Sequence, residues 1–197
     1  YIVQNNTNMV SQGQYYNPLP ALYLFPRGDN FDEIRLFERY NTNYGYMEQY
    51  WPYGDGGMSL QNPYWIQNRI TRTSDKKRYM LNASLKWKVT DWFNITGRVN
   101  LDNSDYRNRE EKHASTLTTF CGLSGGLKDA MRQERSLYAD VLGSIDKTFG
   151  EFRLNANLGG SIYHTSMNEL SLAGDLIITN FFHINNINFS SNYKPEP

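Results

Sequence analysis

The sequence predicts an all-β chain of antiparallel, up-and-down strands with long loops, patterned as part of a large transmembrane β-barrel. Three observations predict it. Two stretches, about residues 78–104 and 136–164, alternate apolar and polar residues. Connections inside each stretch are short, and those around them are long and polar, as the turns and external loops of outer-membrane barrels are. Aromatic residues form 15% of the chain, and several gather beside the short turns, where an interfacial girdle would lie. A soluble antiparallel sheet also has one wet and one dry face, so on the pattern alone a soluble β domain is an equal rival.

Length and charge narrow the field. A chain of 197 residues suits one ordinary domain. Its 20 Lys and Arg balance 20 Asp and Glu, which removes the basic footprint of a nucleic-acid binder. With a mean hydropathy of −0.67, no apolar run approaches the roughly 20 residues of a spanning helix. Strands that alternate lipid-facing and lumen-facing residues escape that test. Cys121 has no thiol partner for a disulfide or a zinc site. The chain opens on Tyr1 and breaks off after what reads as a strand, which suggests a piece of a longer protein.

Residues 1–74, rich in Asn, Gly, Pro and Tyr, read as a long extracellular loop region. Within it Phe31, Ile34, Phe37 and Tyr40 recur every third residue behind Asp29 and Asn30, which suits a short capped helix or 3₁₀ segment. Residues 75–164 hold two transmembrane hairpins joined by an extracellular loop. In the first, Tyr79, Leu81, Ala83, Leu85, Trp87 and Val89 alternate with polar residues. After Thr90-Asp91-Trp92, Phe93, Ile95, Gly97, Val99 and Leu101 do the same. A three-residue loop sets Trp87 opposite Ile95 and Leu81 opposite Leu101, so the apolar faces coincide. In the second hairpin Leu137, Ala139, Val141, Gly143 and Ile145 are answered by Leu154, Ala156, Leu158, Gly160 and Ile162 across Gly150-Glu151. Glycine first in a two-residue loop suits a type II′ turn and sets Ile145 opposite Ala156. Residues 165–197 read as a further extracellular loop and the start of another strand.

Residues that carry chemistry are few. Gly122-Leu123-Ser124-Gly125-Gly126 satisfies the nucleophile-elbow pattern, after a strand-like Leu117 to Phe120 and before a possible helix at Leu127 to Gln133. Asp140 or Asp146 and His164 follow in hydrolase order. Short hairpins argue against it, since a hydrolase needs parallel strands with helical crossovers. His113, His164 and His183 share no metal-ligand spacing. No catalytic, cofactor or metal-binding residue is therefore expected. Glu110-Glu111-Lys112 and Asp75-Lys76-Lys77-Arg78 read as solvated rims. Lys86, Lys88, Arg98 and Asp102 fall on the polar, lumenal face of the strands. Trp51, Tyr53, Tyr64 and Trp65 are the candidates for substrate contact, since rigid aromatic faces stack on sugar rings or pack against peptide side chains. The same rings suit packing of the loop on itself or on a partner.

The order and spacing of several short segments resemble a known family. Asn62-Pro63-Tyr64-Trp65, Leu85-Lys86-Trp87, Thr90-Asp91-Trp92-Phe93-Asn94-Ile95, Gly97-Arg98-Val99, Lys147-Thr148-Phe149 and Leu158-Gly159-Gly160, with Phe25-Pro26-Arg27-Gly28 and Asn180-Phe181-Phe182 outside them, resemble the SusC/RagA family of TonB-linked outer-membrane transporters of Bacteroidetes. The resemblance covers nearly all of the chain. It implies a mid-barrel slice of a 22-stranded, plugged barrel in the outer membrane that imports glycan or peptide fragments, paired with a SusD-like surface lipoprotein. Energy would come from the TonB complex through parts that lie outside this sequence. The tight turns would be periplasmic and the long segments extracellular. The alternatives are a secreted β-sandwich glycan-binding module and, further off, a serine hydrolase using Ser124.

Overall fold

The computed structural model describes residues 2–7 and 17–189. Among the described residues seven strands form: β1 (Ile2–Thr7), β2 (Glu38–Asn41), β3 (Tyr46–Gln49), β4 (Ile70–Lys88), β5 (Phe93–Lys112), β6 (Gly126–Phe149) and β7 (Phe152–Asp175). β2 and β3 make a small antiparallel hairpin, and the others form one open sheet in the order β1-β4-β5-β6-β7. Short helices α1 (Leu19–Tyr23) and α2 (Pro63–Arg69) and 3₁₀ turns at Phe31–Arg35 and Ile184–Asn186 complete the elements. The chain is thus mostly antiparallel β.

Two compact units are distinguished, each described by itself. The first is built chiefly from Lys76–Tyr106 and Arg132–Glu169. Its strands follow the expected registers. The Val89 and Thr90 N–H groups both donate to the Phe93 carbonyl, at 3.1 and 3.0 Å. The first of these bonds is the one that a Trp87 to Ile95 pairing places at the mouth of the hairpin. Ser136 Oγ lies 3.1 Å from Thr165 Oγ1, the pair found nine residues beyond Ile145 and Ala156. Gly150 has φ of 59° and no other loop residue there is positive, as a type II′ turn requires.

The two faces of this unit differ sharply. One carries ion pairs: Arg78 grips Asp102 through two bonds, Arg98 grips Asp140, and Arg153 grips Asp146. The other presents Tyr79, Leu81, Leu85, Trp87, Val99, Leu101, Val141, Leu154, Leu158 and Ile162, all exposed, with Leu85 at 74% and Leu158 at 84%. Toward the long connections this apolar face gives way to polar residues on all four strands, the boundary stepping by two residues across each hairpin, since the register sets Asn103 opposite Tyr79 and His164 opposite Leu137. Lys77 precedes Tyr79, Asn103 follows Leu101, Arg135 precedes Leu137 and His164 follows Ile162. Arg135 Nε donates to Asn103 Oδ1 along that boundary at 3.2 Å. At the tight turns the face ends in Trp87, Trp92, Phe93, Phe149 and Phe152.

The second unit comprises Asn5–Asp75, Arg107–Met131 and the residues from Leu170 onward. Its core gathers Trp65, Ile66 and Ile70 with Phe37, and separately Leu127, Leu176 and Ile187 with Leu172 and Phe182. The expected short 3₁₀ segment is present at Phe31–Arg35, capped by Asn30, whose side chain accepts from the Asp32 N–H at 3.0 Å. Several boundaries differ from the sequence pattern. The segment before residue 75 is not a plain loop, since it holds β2, β3 and α2. Strands β4 and β5 span residues 70–112 in place of 78–104, β6 begins at Gly126 in place of about 136, and β7 runs on to Asp175 in place of ending near 164. The added ends of β4, β5 and β6 carry charge on both faces, and that of β7 mixes apolar and polar residues on each, so the period-2 signal vanishes there although the backbone pairing continues. Glu110 and Lys112 are correspondingly not solvated rim residues. Arg72 and Lys112 both pair with Glu110 at 2.9 Å, and the Glu110 side chain is only 15% exposed.

Candidate functional site

Within the second unit, three of the four aromatic residues singled out in the sequence come together. Trp51 meets Tyr53 edge to face at 5.1 Å between ring centroids, Tyr53 meets Phe25 at 5.2 Å, Phe25 meets Phe31 at 5.2 Å and Phe31 meets Tyr64 at 6.2 Å. The result is a continuous row of five rings. Phe25 and Phe31 are the members sequence reasoning did not assign to it. Phe31 showed only as one face of a short helix, and nothing local in the sequence brings Phe25 beside Tyr53.

Local chemistry fixes each ring. Gly54, Gly56 and Gly57 all take positive φ, and Asp55 ties their loop by accepting the Gly57 N–H on its side chain and the Met58 and Leu60 N–H groups on its carbonyl. That fold brings the Gly54 carbonyl to the Trp51 indole N–H at 2.6 Å. Partial burial, and then its hydrogen bond to Asp29, holds the Tyr53 phenol above the usual tyrosine range. Tyr64 is set by the cap of α2, where Asn62 Oδ1 accepts its N–H at 2.9 Å. With the Trp51 indole and Tyr53 phenol donors engaged internally, what the half-exposed row offers outward is chiefly ring face and edge. Such a patch suits packing on sugar rings or apolar side chains.

Trp65 is a different case. It is fully buried, packs on Phe37 at 6.5 Å and donates its indole N–H to Thr116 Oγ1 at 3.1 Å. It offers no face to a ligand. The residue that organises this region is Asn62, also fully buried. Its Nδ2 donates to the Ile34 and Tyr50 carbonyls, both at 2.9 Å, and its own N–H donates to Gln49 Oε1 at 2.8 Å. One amide side chain thus ties the 3₁₀ turn, the end of the β2–β3 hairpin and the start of α2.

The Gly122 to Gly126 segment is not a strand-to-helix elbow. Residues 127–133 lie in β6, and Gly122 and Gly125 face each other in an isolated bridge. The glycines answer to packing. A Cβ on Gly122 would meet Asp175 at 2.8 Å, and one on Gly125, whose φ is 97°, would meet the Lys112 carbonyl at 2.6 Å. Asp175 accepts the Gly122 N–H at 2.6 Å. Beside this bridge lies an open cleft of about 300 Å³ lined by Lys112, Phe120, Cys121, Lys128 and Asp175. Burial pushes the Cys121 thiol up to about 11, so the thiolate a nucleophile needs is scarce at neutral pH.

The candidates on the polar face of the first unit separate by partner. Arg98 and Asp102 are locked in ion pairs, Lys88 pairs with Asp91 at 2.7 Å, and Lys86 is exposed. Among the described residues no group of three or more His, Cys, Asp or Glu side chains is placed to hold a metal ion. No protein-family model matches the chain, and no curated protein matches it.

Proposed function

We propose that the chain is a segment of a TonB-dependent outer-membrane transporter of the SusC/RagA type. On this proposal its central strands are barrel wall in the outer membrane, and the whole protein imports glycan or peptide fragments with a SusD-like lipoprotein. The observation that carries it is the exposed apolar band of the first unit. From Tyr79 to Val89, and again from Phe152 to Ile162, the band is ten residue steps long. Ten steps are about 33 Å of strand at ~3.3 Å per residue, or about 25 Å of height at the roughly 40° tilt of barrel strands, the height of a lipid-facing band. A boundary that steps the same way across both hairpins is what a flat bilayer surface imposes on tilted strands.

The row Trp51, Tyr53, Phe25, Phe31 and Tyr64 is then the surface for substrate or for the lipoprotein. The test is partition of the chain between buffer, detergent and phospholipid vesicles. The expected result is aggregation in plain buffer, where the open edges and the apolar band are unprotected, and recovery of folded β structure in detergent or vesicles. A monodisperse chain that unfolds cooperatively in plain buffer would overturn the membrane assignment in favour of a secreted β-sandwich module. Transport is tested separately in cells carrying the intact gene. Loss of uptake of labelled oligosaccharide or peptide on gene disruption is expected, and unchanged uptake of both counts against the proposal.

A further inference from the structure

One position breaks the apolar face of the first unit. Counting alternate residues from Tyr79 to Val89, Phe93 to Leu101, Leu137 to Phe149 and Phe152 to Ile162, Lys147 is the one charged residue on that face. It lies three residues before Gly150, at the tight-turn edge. Its ammonium sits 4.4 Å from the Trp92 ring centroid and 5.0 Å from that of Phe149. Among the described residues it has no carboxylate within salt-bridge distance, and two of the nearby acids are engaged elsewhere. Asp91 pairs with Lys88 at 2.7 Å, and Asp146 pairs with Arg153 on the opposite face. A cation held against aromatic rings on an apolar wall, with its donors unspent, is complementary to an anion that arrives from the apolar side.

We propose that Lys147, framed by Trp92 and Phe149, binds the phosphodiester of an anionic phospholipid at the tight-turn edge of the band. The ammonium meets the headgroup phosphate. The acyl chains run along the stripe beyond it, starting with Ile145 and with Leu154, which the hairpin register sets opposite Lys147. That apolar continuation selects a lipid phosphate over a free one. The proposal rests on the membrane assignment above.

The experiment uses the full chain in a non-ionic detergent, with native mass spectrometry counting retained phosphatidylglycerol against phosphatidylcholine. Wild type and Lys147→Arg retain phosphatidylglycerol preferentially. Lys147→Gln, of similar length and uncharged, loses about fivefold of that preference, the size of one cation acting on an anionic lipid. Equal retention by Lys147→Gln overturns the proposal, and so does displacement of the lipid by millimolar inorganic phosphate. A wild-type chain that folds without detergent and retains no lipid overturns the membrane assignment itself, and this is seen before any variant is compared.

Discussion

At the scale of single residues, buried polar groups carry most of the second unit's specificity. Asn62 satisfies two carbonyls, caps α2 and anchors its own N–H on Gln49. Asn62→Ala leaves two acceptors and a helix N–H unpaired in the core, and is expected to cost about 2–4 kcal/mol. A denaturant titration of the folded chain in detergent measures the cost, and an unchanged midpoint would refute it. His113 supplies a pH dependence. Burial holds its imidazole below the ordinary histidine value, opposed by its bond to the Arg69 carbonyl at 2.9 Å and modulated by Arg69, Glu111 and Glu38. The fold thus favours the neutral ring. The unfolded chain binds the proton first as pH falls below about 6.5, so this contribution is present above that pH and is lost as acidification proceeds through the lower folded value. The melting temperature of wild type should drop between pH 7 and 5 more steeply than that of His113→Gln. Parallel slopes would show that His113 does not titrate with folding.

At the scale of elements, turns and bridges depend on glycine to different degrees. Gly150 and Gly125 both have positive φ, but a Cβ on Gly150 meets open space, whereas one on Gly125 would strike the Lys112 carbonyl and approach the Ala114 N–H at 3.2 Å. Gly150→Ala is expected to cost about 1 kcal/mol, the backbone penalty alone. Gly125→Ala should cost upward of about 2 kcal/mol, because strain and collision add. Chemical unfolding of the two variants side by side checks the order, and equal losses would mean that the bridge relaxes at little cost. The elbow-like motif was legible as a cluster of glycines, but its reason was not, since Lys112 and Asp175 are distant in sequence. Strand centres were legible because one face is apolar and the other polar, so Leu81, Leu85 and Val99 announce both the strand and its register. Strand ends were not, because Arg72, Glu110 and Asp129 serve the pairing through charge and leave no periodic trace. The aromatic site was half legible. Tyr53 and Tyr64 were visible as rings in a loop, but only tertiary packing joins them through Phe25 and Phe31 and withdraws Trp65 into the core.

At the scale of the whole molecule, what distinguishes a barrel wall from a soluble sheet is which face tolerates charge, and adjacent residues of β7 separate the two. Leu158 lies near the middle of the apolar band and is 84% exposed. Its neighbour Asn157 points to the opposite face and is exposed as well. Neither residue is packed in a core, so a soluble sheet would accept arginine at both with little loss, and at position 158 would gain solubility. In a bilayer the two substitutions part company. Leu158→Arg then carries charge to the midplane at about 2–4 kcal/mol, while Asn157→Arg meets lumenal water. Refolding into phosphatidylcholine vesicles, followed by a denaturant titration, is expected to show a weakened Leu158→Arg and an Asn157→Arg close to wild type. The reverse order would mean that the ion-paired face of Arg98–Asp140 and Arg78–Asp102 is the outer one. Equal behaviour would remove the bilayer as the cause of the band, and the apolar face bounded by Lys77, Asn103, Arg135 and His164 would then need a protein partner to cover it.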